Sequence, residues 1–326
     1  MLLLLDGNNL AWAGYYALER AMKPDTDERR QRVAMLGLAG MALGAIARGG
    51  EPPGRTPATP LTRVAVCFDE GRPLRRRELF PAYQTGREGD PKFIQNESTI
   101  LGAIAEFCEV CQNLPVDVVR GENTEADDLI AGLVDAHPDS AKRIVSSDRD
   151  FLQLIGPMTT VYSPIKKVVI DDAAFFDAIA PRTSSGKPLL FPRDRFLEYR
   201  ALIGDPSDNL PGVSGIGPLT AAKLLAHAAV DTYFGDARAV RAALERKSLA
   251  IEQAFQDGTA EAIVARNREL MDLRSGAPCW SDLDALTSRG TWDRSAFEDW
   301  LKEERIGSVD AAALTEQLES LAAISA

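Results

Sequence analysis

The sequence predicts an α/β protein with a twisted, mainly parallel sheet, followed by a helical region. Short β-rich runs alternate with stretches whose apolar residues recur at helical spacing. Three of those runs stop at an aspartate. From about Arg193 onward the strand pattern ceases, and Gly/Pro-punctuated turns give way to Ala-rich amphipathic stretches. The strand candidates are residues 2–5, 64–68, 116–119, 144–146 and 160–162, with 167–170 as an added hairpin strand. Residues 49–60 and 181–192 are loops by composition. An α/β core over 1–185 and a helical region over 186–326 follow.

With 326 residues, 45% of them hydrophobic, the chain can bury a full core. The apolar N-terminus meets Asp6 at once and is too short for a signal peptide or membrane helix, so it reads as a buried first strand. Residues 36–47 are apolar but Gly-rich, shorter than a bilayer span and broken by Arg48, which fits a packed helix. An intracellular protein is expected, acting in the cytoplasm of its own cell or, if phage-encoded, of a host. Four cysteines make no disulfide framework in a chain of this length. Cys108 and Cys111 have zinc-like spacing, yet no second Cys or His pair completes a tetrahedral site, and they read as core residues.

The runs at 2–5, 64–68 and 144–147 lead into Asp6, Asp69 and Asp148. Residues just past the carboxyl ends of parallel strands gather in one crevice. Asp150 follows Asp148 by two, while Glu125, Asp127 and Asp128 open the helix after the run at 116–119. Asp205 and Asp208 lie in a Gly/Pro turn. Each group has a plainer explanation: Thr124 as an N-cap with acids favoured by the helix dipole, Asp205 and Asp208 as turn residues, Asp6 as a strand-end acid beside a tight turn at Gly7, Asn8 and Asn9. Their conjunction points elsewhere. Crowded carboxylates repel, and cations between them relieve the repulsion. Oxygen-only ligation suits Mg²⁺ or Mn²⁺, and two such ions about 4 Å apart stabilise both attacking and leaving oxygens of a phosphodiester. A formal net charge of −11 therefore does not exclude nucleic acid, since these nine acids make up most of it.

Gly212-Val213-Ser214-Gly215-Ile216-Gly217-Pro218 runs directly into an amphipathic helix carrying Lys223. Glycines that expose backbone N–H groups, Pro at the first helical position and a helix N-terminus make a helix-hairpin-helix signature for a sugar–phosphate backbone. A basic run, Arg72 to Arg77 including Arg75 and Arg76, begins three residues after Asp69. Tyr83, Gln84 and Arg87 follow, a combination suited to phosphate contact and base stacking.

Together these pieces resemble the 5′-3′ exonuclease/flap endonuclease family, which includes stand-alone phage 5′ nucleases and the N-terminal nuclease domain of bacterial DNA polymerase I. The resemblance is carried in family order by Asp6-Gly7, Phe68-Asp69, Arg76 with Tyr83 and Arg87, Glu125-Ala126-Asp127-Asp128, Ser147-Asp148-Arg149-Asp150, and the run from Gly204 through Asp205 and Asp208 to Gly217. It implies a resolvase-like (PIN-like) core, a helical arch at about 72–97, and a helix-three-turn-helix at about 195–227 that grips duplex backbone and holds K⁺. It also implies one ion among Asp69, Glu125, Asp127, Asp128, Asp148 and Asp150, and a second completed by Asp205 and Asp208, sharing Asp148 or Asp150. Asp6 fits as a direct ligand or as one hydrogen-bonded behind the ligands. Two positions depart from the family: Gln84 where Tyr-Lys is usual, and Leu219 where a lysine is common. The implied substrates are DNA with a 5′ flap, nick or free end, or an RNA–DNA hybrid, with any polymerase on a separate chain. A catalytically weak DNA-binding protein on the same scaffold is the competing reading, against which the intact carboxylates argue. A second rival, an acidic ribonuclease, is disfavoured by the hairpin.

Overall fold

The computed structural model describes residues 1–274 and 282–325, excepting the side chains of residues 87, 88 and 325. Its helices are α1 (Gly7–Met22), α2 (Asp27–Ala47), α3 (Leu74–Leu79), α4 (Thr85–Glu88), α5 (Pro91–Cys111), α6 (Ala126–Ala136), α7 (Phe175–Ile179), α8 (Phe196–Ile203), α9 (Pro218–His227), α10 (Ala237–Leu244), α11 (Leu249–Gln256), α12 (Thr259–Met271), α13 (Arg294–Glu303) and α14 (Ala311–Ser325). Its strands are β1 (Leu2–Asp6), β2 (Arg63–Phe68), β3 (Asp117–Arg120), β4 (Lys142–Val145), β5 (Thr159–Ser163), β6 (Val168–Ile170), β7 (Gly204–Asp205), β8 (Leu210–Pro211) and β9 (Thr287–Arg289).

Packing groups the chain into two compact units, the first of Met1–Pro73, Lys92–Asp172 and Ala277–Ala326, the second of Leu74–Pro91 and Ala173–Gly276. This interleaving differs from a single division at 185/186. The segment 74–91 groups with the helical unit because Arg76 on α3 donates to the Leu270 carbonyl on α12. The C-terminal segment groups with the sheet because β9 pairs with β3 and α14 packs on α2. Cys279 lies outside the described residues.

The first unit holds a seven-stranded sheet ordered β6-β5-β4-β1-β2-β3-β9. The five strands β1 to β5 pair in parallel, and β6 and β9 add antiparallel edges. Both faces of β1 are covered, so Leu2, Leu3, Leu4 and Leu5 are all buried, the continuous apolar run of a central parallel strand. The chain steps from β1 to β2 and β3 on one side, then returns to β4 and β5 on the other. Ligand crevices form at that switch point, beyond the carboxyl ends of the strands. The apolar stretch at 36–47 is the buried second half of α2, which crosses α1 at Gly14 and Gly37. A Cβ added to either glycine would lie 2.4 Å from the carbonyl carbon of the other. Cys108 and Cys111 sit in α5, with free thiols. Among the described residues no helix is long and apolar enough to cross a membrane.

Strand β9 was not expected. Its three residues are polar and mostly exposed, so no alternation marks them. A buried carboxylate holds this edge together: Asp117 accepts from Arg63 Nε at 2.5 Å and from Arg289 Nε at 2.9 Å. Asp117→Asn is expected to destabilise the protein by about 1–2 kcal/mol, because the buried carboxylate is the counter-charge of the largely buried Arg63 guanidinium, whereas the exposed Arg289 is resolvated by water when its partner is lost. Urea unfolding reads this loss, which should come with faster amide exchange along β9.

The second unit is helical. Its α8 and α9 are joined by a turn in which β7 and β8 pair antiparallel. Tyr83, Leu210, Leu270 and Met271 form a buried cluster, with Phe80 and Leu197 packed against it.

Candidate functional site

In the first unit, α1 begins directly at Gly7, with Asp6 as its N-cap accepting from Asn9 N at 3.0 Å. Residues 7–9 are therefore the first helical turn and not the tight turn that the sequence suggested. Gly7 is required here, since a Cβ would meet the Phe68 ring at 2.2 Å. That helical turn also ties two strand ends together: Asn8 Oδ1 accepts from Asp69 N at 2.9 Å, and Asn9 Oδ1 from Ser147 N at 3.0 Å. Ser146 donates its hydroxyl to Asp6 Oδ2 at 2.7 Å and accepts from Asp148 N at 3.0 Å, while Asp148 Oδ1 accepts from Asp150 N at 2.8 Å. Asn8, Asn9 and Ser146 are positioning residues that the sequence reading passed over. Their only signal is their place, at or just after a strand end.

Glu125 is the N-cap residue of α6 and makes no side-chain capping bond. The cap hydrogen bond comes from β2's end: Asp69 Oδ1 accepts from Ala126 N at 2.8 Å. Thr124, the expected cap, instead pairs with Glu70 in an antiparallel bridge. A carboxylate at a helix N-terminus is favoured by the helix dipole, so capping accounts for part of Asp69's placement.

Capping does not account for the field around it. Burial, with the charges of Asp69 and Asp148 adding, pushes Asp6 up to about 7 against the hydrogen bonds from Ser146 and Asn9. Burial also holds Asp127 well above the ordinary carboxylate range, helped by Asp148, Asp6, Glu125 and Asp69. Five predicted residues thus act on one another from the ends of β1, β2 and β4 and the start of α6. Asp128 is buried in the same first turn of α6, and Asp150 is buried at the start of the short helix 150–154. Cys67 is a poor ligand, because burial and the Asp6 charge raise its thiol well above the usual range. Crowded, poorly solvated carboxylates with oxygen-only donors fit a hard divalent cation.

In the second unit, Asp205 and Asp208 occupy one turn. Asp205 Oδ2 meets Arg200 at 2.5 Å, and Oδ1 accepts from Ser207 N at 2.8 Å. Burial raises Asp205, but these partners outweigh it and leave the carboxyl below its ordinary value. Asp205 is therefore also a turn cap. Asp208 Oδ1 accepts from Gln84 Nε2 at 3.2 Å, and its carbonyl accepts from Gln84 N at 2.9 Å. Gln84 adopts φ +58°, a left-handed conformation uncommon outside glycine.

Two basic-run expectations change. Tyr83 is only 5% exposed, its ring filling the cluster with Leu210 and Leu270, so it is not placed to stack on a base. Arg76 is 5% exposed with Nε on the Leu270 carbonyl, which makes it an internal tie of this unit. Arg75 and Arg77 are partly buried, and Arg72 pairs with Glu97 at 3.3 Å. The Arg87 side chain lies outside the described residues.

The Gly-rich turn has the expected form. Gly217 is the N-cap residue of α9, Pro218 its first residue, and Lys223 is exposed. Gly212 passes so close to Ile203 that a Cβ would lie 2.4 Å from its carbonyl carbon, and Gly215 takes φ +80°. Only glycine meets both demands without strain.

A family model described as "5′-3′ exonuclease, N-terminal resolvase-like domain" matches residues 1–180, and one described as "5′-3′ exonuclease, C-terminal SAM fold" matches 191–294. DNA polymerase I of Mycobacterium tuberculosis is 32% identical over 295 residues, covering 90% of this chain and 29% of the relative. DNA polymerase I of Bacillus caldotenax is 29% identical over 305 residues, covering 93% and 31%. The chain thus spans less than a third of the length of these relatives. Among solved structures, a T5 5′-exonuclease with bound zinc ions matches with TM-score 0.59 at 16% identity, over 100% of this chain and 99% of the other. A bacteriophage T5 flap endonuclease pseudo-enzyme–product complex with DNA and metal ions matches with TM-score 0.56 at 17% identity, over 99% and 98%. These two likenesses bear on the fold, a mostly parallel α/β core with a helical companion.

Proposed function

The chain belongs to the 5′-3′ exonuclease family, and on that premise we propose that it is a structure-specific 5′ nuclease, hydrolysing phosphodiesters of DNA or RNA–DNA near a 5′ end with divalent ions. The observation that carries this reading is the mutually repelling group of Asp6, Asp69, Glu125, Asp127 and Asp148. A protein that only bound DNA would gain nothing from such a pocket facing phosphate. Asp69, Glu125, Asp127, Asp128, Asp148 and Asp150 are assigned to one ion, and Asp205 and Asp208 to a second. Asp6, fixed by Ser146 and Asn9, orients the ligand shell from behind. Mg²⁺ is the assigned metal, with Mn²⁺ able to substitute, and K⁺ is assigned to the hairpin turn. Bound divalent ions supply positive charge to the attacking and leaving oxygens of the phosphodiester. The chain's own contribution is to fix the carboxylates, and to hold duplex backbone at the N-terminus of α9 and Lys223. Substrates are duplexes with a 5′ flap, nick or free end, and a separate polymerase chain is the fitting partner for synthesis.

The test uses a labelled 5′ flap, a nicked duplex, single-stranded RNA and an RNA–DNA hybrid, each with and without Mg²⁺. Mg²⁺-dependent shortening from the 5′ end is expected. Metal-independent binding without cleavage would favour the DNA-binding reading instead. Lys223→Ala should weaken binding to all duplex sequences alike and lower the slope of log K against log salt by about 0.9, one phosphate contact. Loss that depends on base sequence, or an unchanged slope, would show that Lys223 does not touch the backbone.

A further inference from the structure

Two short segments of the second unit, residues 82–85 and the turn at 205–209, are joined by reciprocal hydrogen bonds. Gln84 donates its backbone N–H to the Asp208 carbonyl at 2.9 Å and its side-chain amide to Asp208 Oδ1 at 3.2 Å. From the other side, Asn209 Nδ2 donates to the Ala82 carbonyl at 2.9 Å and lies 3.4 Å from Thr85 Oγ1. Each segment thus offers one carboxamide to the other. Both amide residues are left-handed, Gln84 at φ +58° and Asn209 at φ +58°. Asparagine adopts that conformation readily, whereas glutamine does not. A side chain that tolerates an unfavourable backbone needs a compensating contact, and at position 84 the longer amide reaches Asp208.

We propose that Gln84 is a positioning residue for Asp208, and that this clasp couples the order of residues 82–85 to the ion completed by Asp205 and Asp208. Left alone, a carboxylate on a turn samples several rotamers, and ion binding would have to select one of them. The Gln84 amide makes that selection beforehand. Because it is neutral, it fixes the carboxylate without cancelling the charge that a hard cation needs, as an ammonium on the same oxygen would. The clasp works in both directions: an ion that binds the clasped turn more tightly than the open one stabilises the clasp by the same factor. The inference rests on the assignment of Asp205 and Asp208 to a divalent ion made above, and adds to it the residue that sets one of those ligands.

Mn²⁺ titration of the full chain, followed by electron paramagnetic resonance, reads the ions without any need for catalysis. Wild-type protein should bind Mn²⁺ at more than one site, and Asp208→Asn should weaken one of them, which identifies the Asp208 ion. Gln84→Asn suits the left-handed turn better but is one methylene too short to reach Oδ1. Thermal stability should therefore hold or rise, while the Kd of that same ion rises about tenfold, as for other lost partners of a metal ligand. Asn209→Gly keeps the left-handed turn and removes the donor to Ala82, and should weaken the same ion by a smaller factor. The reciprocal readout is hydrogen exchange at the Gln84 amide, which saturating Mg²⁺ should slow by a factor of the same order. An unchanged Kd in Gln84→Asn, or a rise that only follows lost thermal stability, overturns the positioning role. Exchange at Gln84 that ignores Mg²⁺ overturns the coupling. A wild-type protein with no Mn²⁺ site sensitive to Asp208→Asn would instead overturn the assignment of Asp208 in the nuclease reading, whatever Gln84 does.

Discussion

Asp148→Asn is expected to lower cleavage in Mg²⁺ by about a thousandfold while leaving DNA binding intact or slightly tighter. Asp148 follows the end of β4, its amide held by Ser146 and its carboxylate accepting from Asp150 N. Its charge bears on both Asp6 and Asp127. The amide variant keeps the shape and can still accept that backbone bond, so the fold should stay intact. What disappears, on the assignment proposed above, is one anionic ligand. Several kcal/mol of transition-state charge stabilisation depend on the bound ions, and each 1.36 kcal/mol is tenfold in rate. Binding is spared because one negative charge fewer then faces the substrate's phosphates. Single-turnover cleavage and a binding titration, run side by side, separate these effects. Turnover near the wild-type level would break the assignment of Asp148 to a shared metal site.

Gly37→Ala should cost on the order of 3 kcal/mol of stability, with little change in the chemistry of whatever protein remains folded. The new methyl would sit 2.4 Å from the carbonyl carbon of Gly14, a backbone atom that cannot rotate away as a side chain could. The helices must separate, and the apolar contacts of Tyr15, Leu38 and Leu43, all fully buried, loosen with them. Gly14→Ala should do the same. The double variant should lose less than the two costs together, because a single separation of α1 from α2 accommodates both methyls. Urea midpoints for the three variants test this, and single-variant losses under about 0.5 kcal/mol would mean that the crossing is softer than its geometry implies.

The sheet and the gathering of carboxylates at its strand ends were readable because both are written locally. An apolar run that stops at Asp6, Asp69 or Asp148 states at once which strands are central and which ends gather. The second unit was less readable at its basic run. Arg76 and Tyr83 look like a surface patch in a window of ten residues, yet they are buried against Leu210 and Leu270, more than a hundred residues away. A local pattern cannot report such a partner. Asn8, Asn9 and Ser146 were missed for the opposite reason: small polar residues beside a strand end suggest turns, and only the register of β1 between β2 and β4 shows that they clamp neighbouring strand ends. Strand β9 has neither alternation nor apolar content, and exists because β3 offers it an edge.

That late strand bears on how the protein is made. The edge of β3 is finished by residues roughly 170 positions downstream, so at about 5–20 residues per second a ribosome leaves it open for roughly 10 to 30 s. An unpaired strand edge invites pairing with other nascent chains. During that interval Asp117 stands on the open strand, with Arg63 of the neighbouring strand as its already synthesised partner. The same carboxylate that later receives Arg289 thus guards the edge until its own strand arrives.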